Sequence, residues 1–89
     1  MAKVILSHRI KNYEQWRPAY DADAQRRENM GWKNITVYRP VDDPNHIYMI
    51  GEIDNPSNLD KMLSDPELGK LMEEAGVISK PEITILNPA

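Results

Sequence analysis

The chain has 89 residues, with 11 Lys and Arg against 14 Asp and Glu and a formal net charge of −3 at pH 7. This length predicts one domain, residues 1–89, that gains stability from self-association, and the slight acidity disfavours a nucleic-acid partner. The absence of cysteine excludes disulfides and thiolate catalysis, and no apolar run is long enough for a signal peptide or a membrane span, so we expect a cytoplasmic protein.

The first half of the chain predicts a strand followed by a long helix. The strand is "KVILSHRI". Asn12 has the spacing of a capping box with Gln15. One face of the amphipathic helix then carries residues at three- and four-residue steps, which are Tyr13, Trp16, Tyr20, Ala24 and Arg27. Gly31 can end this helix in a left-handed conformation.

The second half predicts a β-hairpin, a second helix and a last strand. The strands "WKNITVYR" and "HIYMIGEI" flank the turn-rich segment "PVDDPN". The helix opens at Asn55 and Pro56, restarts at Pro66 within "SDPE" and ends at Gly76, before the strand "PEITIL". The order βαββαβ predicts a ferredoxin-like α+β fold, with a four-stranded antiparallel sheet and both helices on one face.

Pairing Tyr38 with Tyr48 sets the register of the hairpin and assigns a face to each side chain. The more apolar face is assigned to the helices. The other face then carries Trp32, Asn34, Thr36, Tyr38, Tyr48, Ile50 and Glu52. Because this face would leave aromatic surface in water, we expect it to join the same face of a second copy in a homodimer.

The same alternation places His8 and Arg39 on the helix-covered face, at one end of the sheet beneath Trp16. Apolar walls with a few convergent polar groups are typical of a pocket for a small hydrophobic or aromatic ligand. His8 is therefore a candidate catalytic base, and Arg39 is a candidate catalytic group that stabilises an anion. The candidate substrate-binding residues are Trp16, Tyr20, Met49 and Met72.

Simpler interpretations of these residues stay open. His8 can donate to a backbone carbonyl, Arg39 can pair with Asp42 or Asp43, and the aromatic residues can be ordinary core. The pair Arg26 and Arg27 is interpreted as a solvated helix face. We expect no metal site, because His8 and His46 are predicted on different faces of the sheet.

The chain resembles the dimeric α/β-barrel superfamily, and within it the antibiotic-biosynthesis-monooxygenase-like (ABM-like) proteins. The resemblance is carried by "VILSHRI", "KNYEQWRPAYD", "RRENMGW", "YRPVDDPNHIYMIGEID" and "LSDPEL" with "MEEAGV". It implies a homodimer in which two four-stranded sheets close a barrel with the helices outside. Some members oxidise aromatic polyketides without metal or flavin, whereas others are lyases, isomerases, cyclases, haem-degrading enzymes or signalling proteins.

Differences between this sequence and particular classes of these relatives narrow the range of functions that we expect. Haem-degrading relatives need a histidine on the second helix, and residues 56–75 contain none. Polyketide-cyclase relatives pair a first-strand histidine with another near the C-terminus, and here only His8 has a counterpart. The monooxygenase relatives use Asn, Trp and Tyr around the cavity, for which Trp16, Tyr20 and Trp32 are candidates.

We therefore expect a cofactor-independent enzyme that acts on a small aromatic or carbonyl compound, with monooxygenation among the candidate reactions. The alternatives are a module that binds such a compound without changing it, and a dimer with a structural or regulatory role. The fold by itself does not decide between them.

Overall fold

The structure, a computed structural model, describes residues 2–89. Over these residues the chain forms eight elements. They are β1 (Ala2–Arg9), α1 (Tyr13–Ala22), α2 (Ala24–Asn29), β2 (Trp32–Tyr38), β3 (His46–Ile53), α3 (Ser57–Leu63), α4 (Pro66–Glu74) and β4 (Glu82–Leu86). The predicted order βαββαβ is confirmed, and each predicted helix is divided into two.

The four strands form one antiparallel sheet in the order β2-β3-β1-β4. The core lies between one face of this sheet and the helices, and its fully buried side chains include Val4, Ile47, Ile53 and Leu59. This is the predicted ferredoxin-like α+β architecture. None of the described helices is both long enough and apolar enough to cross a membrane.

The start of α1 is tied to the end of α4. Asn12 Oδ1 accepts a hydrogen bond from the Gln15 backbone N–H at 2.8 Å, as the capping-box spacing predicts. The Gln15 side chain does not complete the box, because its Nε2 donates to the Glu74 carbonyl at 2.9 Å. Gly76 follows with φ 85°, and a Cβ there would lie 3.2 Å from the Gln15 side chain. These contacts close the helix layer over the end of the sheet that carries His8.

The long helix predicted after β1 is interrupted at Asp23, which has φ −97° and ψ 17°. Aspartate favours helix ends over helix interiors because its carboxylate competes for nearby donors. Here the Asp23 carboxylate accepts from Arg26 Nε at 3.2 Å, and Arg26 Nη1 also reaches Asp65 at 2.9 Å. Asp65 caps α4 by accepting from the Glu67 N–H at 2.9 Å, so the predicted restart of the second helix is confirmed.

The hairpin keeps its predicted register only near the turn. Tyr38 pairs with Tyr48 and Thr36 with Ile50, as predicted. The register then shifts at Asn34, which adopts a left-handed conformation with φ 55°. Asparagine tolerates this conformation better than most residues. A β-bulge therefore divides β2 into two parts that follow different registers.

The bulge places Trp32 on the face opposite to the one predicted. Lys33, and not Asn34, lies opposite Glu52, and Trp32 lies opposite Ile53. Because a shift of one residue exchanges the two faces of a strand, Trp32 turns toward the helices and is only 3% exposed. The expectations that Asn34 pairs with Glu52 and that Trp32 lies on the uncovered face are wrong.

Candidate ligand cavity between the sheet and the helices

A cavity of about 250 Å³ lies between the covered face of the sheet and the helices. The residues His8, Trp16, Tyr20, Met49 and Met72, which the sequence predicts as site residues, all line it. Most of the other wall residues are apolar and come from β1, α1, α3 and α4. They include Leu6, Ala19, Met62, Leu63, Leu68 and Leu71. The structure thus brings these predicted residues together, and their roles stay predictions.

His8 is a buried polar group without a polar partner in the protein. Its side chain is 4% exposed, and neither ring nitrogen has a hydrogen-bond partner among residues 2–89. The alternative in which His8 donates to a backbone carbonyl is therefore not found within the described chain. The ring instead meets Trp16 edge to face, with 5.9 Å between the centroids. A buried group of this kind is costly unless it bonds to something else.

The protonation state of His8 follows from its surroundings. Burial lowers the pKa of His8 to about 4, and the charge of His46 contributes in the same direction. His8 is therefore neutral at pH 7, with one ring nitrogen as a donor and the other as an acceptor. Such a group can bind a hydroxyl or a carbonyl oxygen and can accept a proton from an acidic ligand.

Trp16 and Tyr20 form a stacked aromatic wall of the cavity. They lie one turn apart on α1, with ring centroids 4.8 Å apart and planes inclined by 21°. The Arg27 guanidinium lies 3.7 Å from the centroid of the Tyr20 ring, and Arg27 Nη1 donates to the Tyr20 carbonyl at 2.7 Å. Burial raises the pKa of the Tyr20 hydroxyl, whereas the Arg27 and Arg17 cations act in the opposite direction.

Arg39 is not part of this cavity. It is exposed, and its guanidinium lies 4.2 Å from the centroid of the Tyr13 ring. The expected position beside His8 is wrong, because β2 ends one residue earlier and strand alternation does not extend to Arg39. The predicted pairing with Asp42 or Asp43 is also not found in the described chain, where Asp43 pairs with Arg9 at 2.9 Å.

For two polar residues of the cavity, the sequence gives predictions that disagree with one another. Trp32 was assigned to the other face, and its Nε1 is buried with no hydrogen-bond partner among the described residues. Arg27 was interpreted as solvated, yet it is half-buried and lines the cavity. Strand alternation misses Trp32 because of the left-handed Asn34, although the family resemblance names Trp32 as a cavity candidate. Helical spacing places Arg27 on the same helix face as Trp16 and Tyr20, and all three line the cavity.

Among the described residues, no group of three or more His, Cys, Asp and Glu side chains lies close enough to hold a metal ion. His8 and His46 indeed lie on different faces of the sheet, because His8 pairs with Ile47 whereas His46 pairs with Arg9. The polar chemistry of the cavity therefore comes from single side chains with apolar surroundings.

No family model matches the chain, and no curated protein does. Solved structures do match over its whole length. An antibiotic biosynthesis monooxygenase shares 20% identity with a TM-score of 0.69, covering 100% of this chain and 99% of its own. A protein from Bordetella bronchiseptica, provisionally named an antibiotic biosynthesis monooxygenase, has 7% identity and a TM-score of 0.76, covering 99% and 96%. A cofactor-independent oxygenase from Streptomyces nogalater has 12% identity and a TM-score of 0.70, covering 99% and 94%. At these identities the similarity shows the fold and not the activity.

Proposed function

The chain has the ABM-like fold, and on this basis we propose that it is a cofactor-independent enzyme that oxygenates a small aromatic or carbonyl compound. The observation that carries the proposal is His8, a buried and neutral imidazole that faces an apolar cavity without a partner in the described chain. Unpaired polar groups of this kind are typical of sites where a ligand completes the hydrogen bonding.

His8 would start the reaction by accepting a proton from an acidic phenol, enol or activated methylene group. Its low pKa makes it a weak base in the empty cavity, but an anion formed beside it raises that pKa by attraction in apolar surroundings. The electron-rich anion then reacts with dioxygen. For an anthrone, one oxygen atom becomes the new carbonyl and the other leaves as water with the two methylene hydrogens, so the substrate itself supplies the electrons.

We also propose that the working form is a cytoplasmic homodimer joined through the face of the sheet that the helices leave uncovered. Apolar and aromatic side chains lie on that face, and Tyr38 and Leu86 are 52% and 44% exposed. Tyr48 and Ile50 lie between them on β3 and are half-buried. Covering such a surface by a second copy would remove it from water.

A second function, binding without chemistry, is favoured by one observation. No carboxylate or second histidine is hydrogen-bonded to His8 in the described chain, so no protein group orients the imidazole or takes its proton onward. A dimer that holds an aromatic compound, or one with a purely structural role, would have no need of such a group.

Oxygen uptake with an anthrone as substrate tests the proposal, with an enzyme-free control for autoxidation. His8→Gln keeps a hydrogen-bonding group but cannot accept the proton, so the rate should fall about 100-fold or more. His46→Gln, on the other face of the sheet, is the matched control and should keep most of the rate, because burial and not the charge of His46 is the main cause of the low pKa of His8. Wild-type rates equal to the enzyme-free control would refute the enzyme and leave the binding function.

A further inference from the structure

The cavity has two polar ends, and their hydrogen-bonding capacities differ. At one end His8 offers one donor and one acceptor. At the other end lie Trp32 and Arg27, both of which line the cavity and both of which can only donate. Trp32 is 3% exposed and its Nε1 has no partner among the described residues. A ligand group that satisfies this second end must therefore be an acceptor.

The charge at the second end favours an anionic acceptor. The Arg27 guanidinium forms no ion pair within the described chain, and its only hydrogen bond there is the one to the Tyr20 carbonyl. Asp23 also lines the cavity, and both of its carboxylate oxygens accept from Arg26 Nε at 3.2 Å. Arg26 also pairs with Asp65 and Glu67, so it offsets the charge of Asp23 only in part, and the proposal rests on Arg27 as the cation of the cavity wall that has no ion pair in the described chain. A planar carboxylate suits the remaining donors of a guanidinium and can share an oxygen with an indole N–H.

The separation of the two ends predicts the length of the ligand. His8 lies opposite Ile47 on β3, whereas Trp32 Nε1 lies 2.8 Å from where a Cβ of Gly51 would be. Four residues of strand separate these two positions, which corresponds to about 13 Å between their Cα atoms. The floor between them is apolar, since Met49 lies at the midpoint.

We infer that the cavity binds an elongated aromatic carboxylic acid, with its carboxylate at Trp32 and Arg27 and a hydroxyl or keto group at His8. This inference rests on the function proposed above in using the same site, and it names the class of substrate. The carboxylate end recognises the compound, and the opposite end is presented to His8 for proton transfer.

Calorimetric binding of two probes tests the inference. The first is a hydroxynaphthoic acid whose hydroxyl and carboxylate lie at opposite ends of the two rings, and the second is the naphthol that lacks the carboxylate. Because a hydrogen bond to a charged group contributes strongly in apolar surroundings, the acid should bind at least about tenfold more tightly than the naphthol.

Three variants assign this preference to residues. Trp32→Phe keeps the ring but removes the N–H, and Arg27→Gln removes the cation. Each should lower the affinity for the acid about tenfold and leave that for the naphthol unchanged. Arg17→Gln is the matched control, because Arg17 also faces the Tyr20 ring, at 5.4 Å, but does not line the cavity. If Trp32→Phe does not fold, Arg27→Gln against Arg17→Gln carries the test.

The inference is overturned if the two probes bind with equal affinity or if neither binds. It is also overturned if Arg17→Gln lowers the affinity for the acid as much as Arg27→Gln does. These results are distinct from a failure of the proposed function. Acid that binds as expected, together with anthrone that is not oxygenated above the enzyme-free control, supports the inference and counts against the enzyme. Anthrone that is oxygenated with no preference for a carboxylate supports the enzyme and overturns the inference.

Discussion

His8 is the residue on which the chemistry of the cavity depends. It is buried beside Trp16, has no polar partner in the described chain, and stays neutral at pH 7. Strand alternation predicts its position correctly, because β1 is regular as far as Arg9. Its missing hydrogen bonds could not be predicted, since they depend on which backbone groups the helices leave free at that end of the sheet.

The low pKa of His8 predicts how stability depends on pH. In the unfolded chain the His8 imidazole has the ordinary pKa of 6.5, whereas in the folded chain its pKa is about 4. Between these pH values the unfolded chain binds a proton at His8 and the folded chain does not. This contribution to stability is therefore complete above about pH 6.5 and is lost as the pH falls toward 4. Between pH 7 and pH 5 the wild type should lose about 2 kcal/mol more of its free energy of unfolding than His8→Gln.

Urea unfolding of both proteins at the two pH values measures this difference. His46→Gln, which keeps His8, should retain most of the loss seen in the wild type, because burial is the larger cause of the low pKa of His8 and the charge of His46 the smaller. Equal losses in the wild type and in His8→Gln would mean that His8 titrates normally and is not buried as described.

At the scale of the elements, the β2–β3 hairpin shows where sequence patterns stop being informative. The register near the turn follows from alternation, but the bulge at Asn34 reverses the faces of everything before it in β2. A period-two pattern cannot reveal one extra residue when both registers bury some apolar side chain. The prediction for Arg39 fails for a different reason: this residue lies just beyond the last residue of β2, and its guanidinium lies against Tyr13 of α1 and not in the wall of the cavity.

The position of Trp32 predicts that Gly51 cannot be replaced. A Cβ at Gly51 would lie 2.8 Å from Trp32 Nε1, 2.8 Å from Ile35 Cγ1 and 2.9 Å from the Lys33 carbonyl oxygen. Gly51→Ala should therefore lower the free energy of unfolding by about 1–3 kcal/mol through overpacking. Gly69→Ala is the control, because a Cβ on that residue of α4 meets no atom within 4 Å.

Gly69→Ala should raise the free energy of unfolding by up to about 1 kcal/mol, as alanine does within an exposed helix. Thermal unfolding of the two variants gives the comparison directly. If Gly51→Ala is as harmless as Gly69→Ala, Trp32 does not cover Gly51 and the bulge does not turn its indole into the cavity.

At the scale of the whole molecule, the sheet has two different surfaces. One carries the cavity and the helices, and the other lies uncovered, with Tyr38, Tyr48 and Ile50 on neighbouring strands. The order of the elements and the identity of these faces were predictable from the sequence, because they depend on long runs of regular pattern. The residues that line the cavity were less predictable from the sequence, because their positions depend on single irregular residues such as Asn34 and Asp23.

The uncovered face predicts self-association. Sedimentation at micromolar concentration should give twice the chain mass of 10.3 kDa. Tyr48→Glu should shift the equilibrium toward monomer, because it adds a carboxylate to a partly desolvated face that already carries Glu52. Val41→Glu, in the fully exposed turn between β2 and β3, is the control and should leave the mass unchanged. A wild type that sediments as a monomer would refute the dimer.

The central claim is that a ligand enters the cavity and contacts the neutral His8. NMR of the imidazole nitrogens tests it most directly, since the chain has only two histidines and His46→Gln assigns their signals. The His8 signals of the free protein should titrate near pH 4 and should shift when the hydroxynaphthoic acid is added at pH 7, while those of His46, on the other face of the sheet, stay in place. A His8 that titrates near pH 6.5, or whose signals do not move with the acid in excess, would contradict the account.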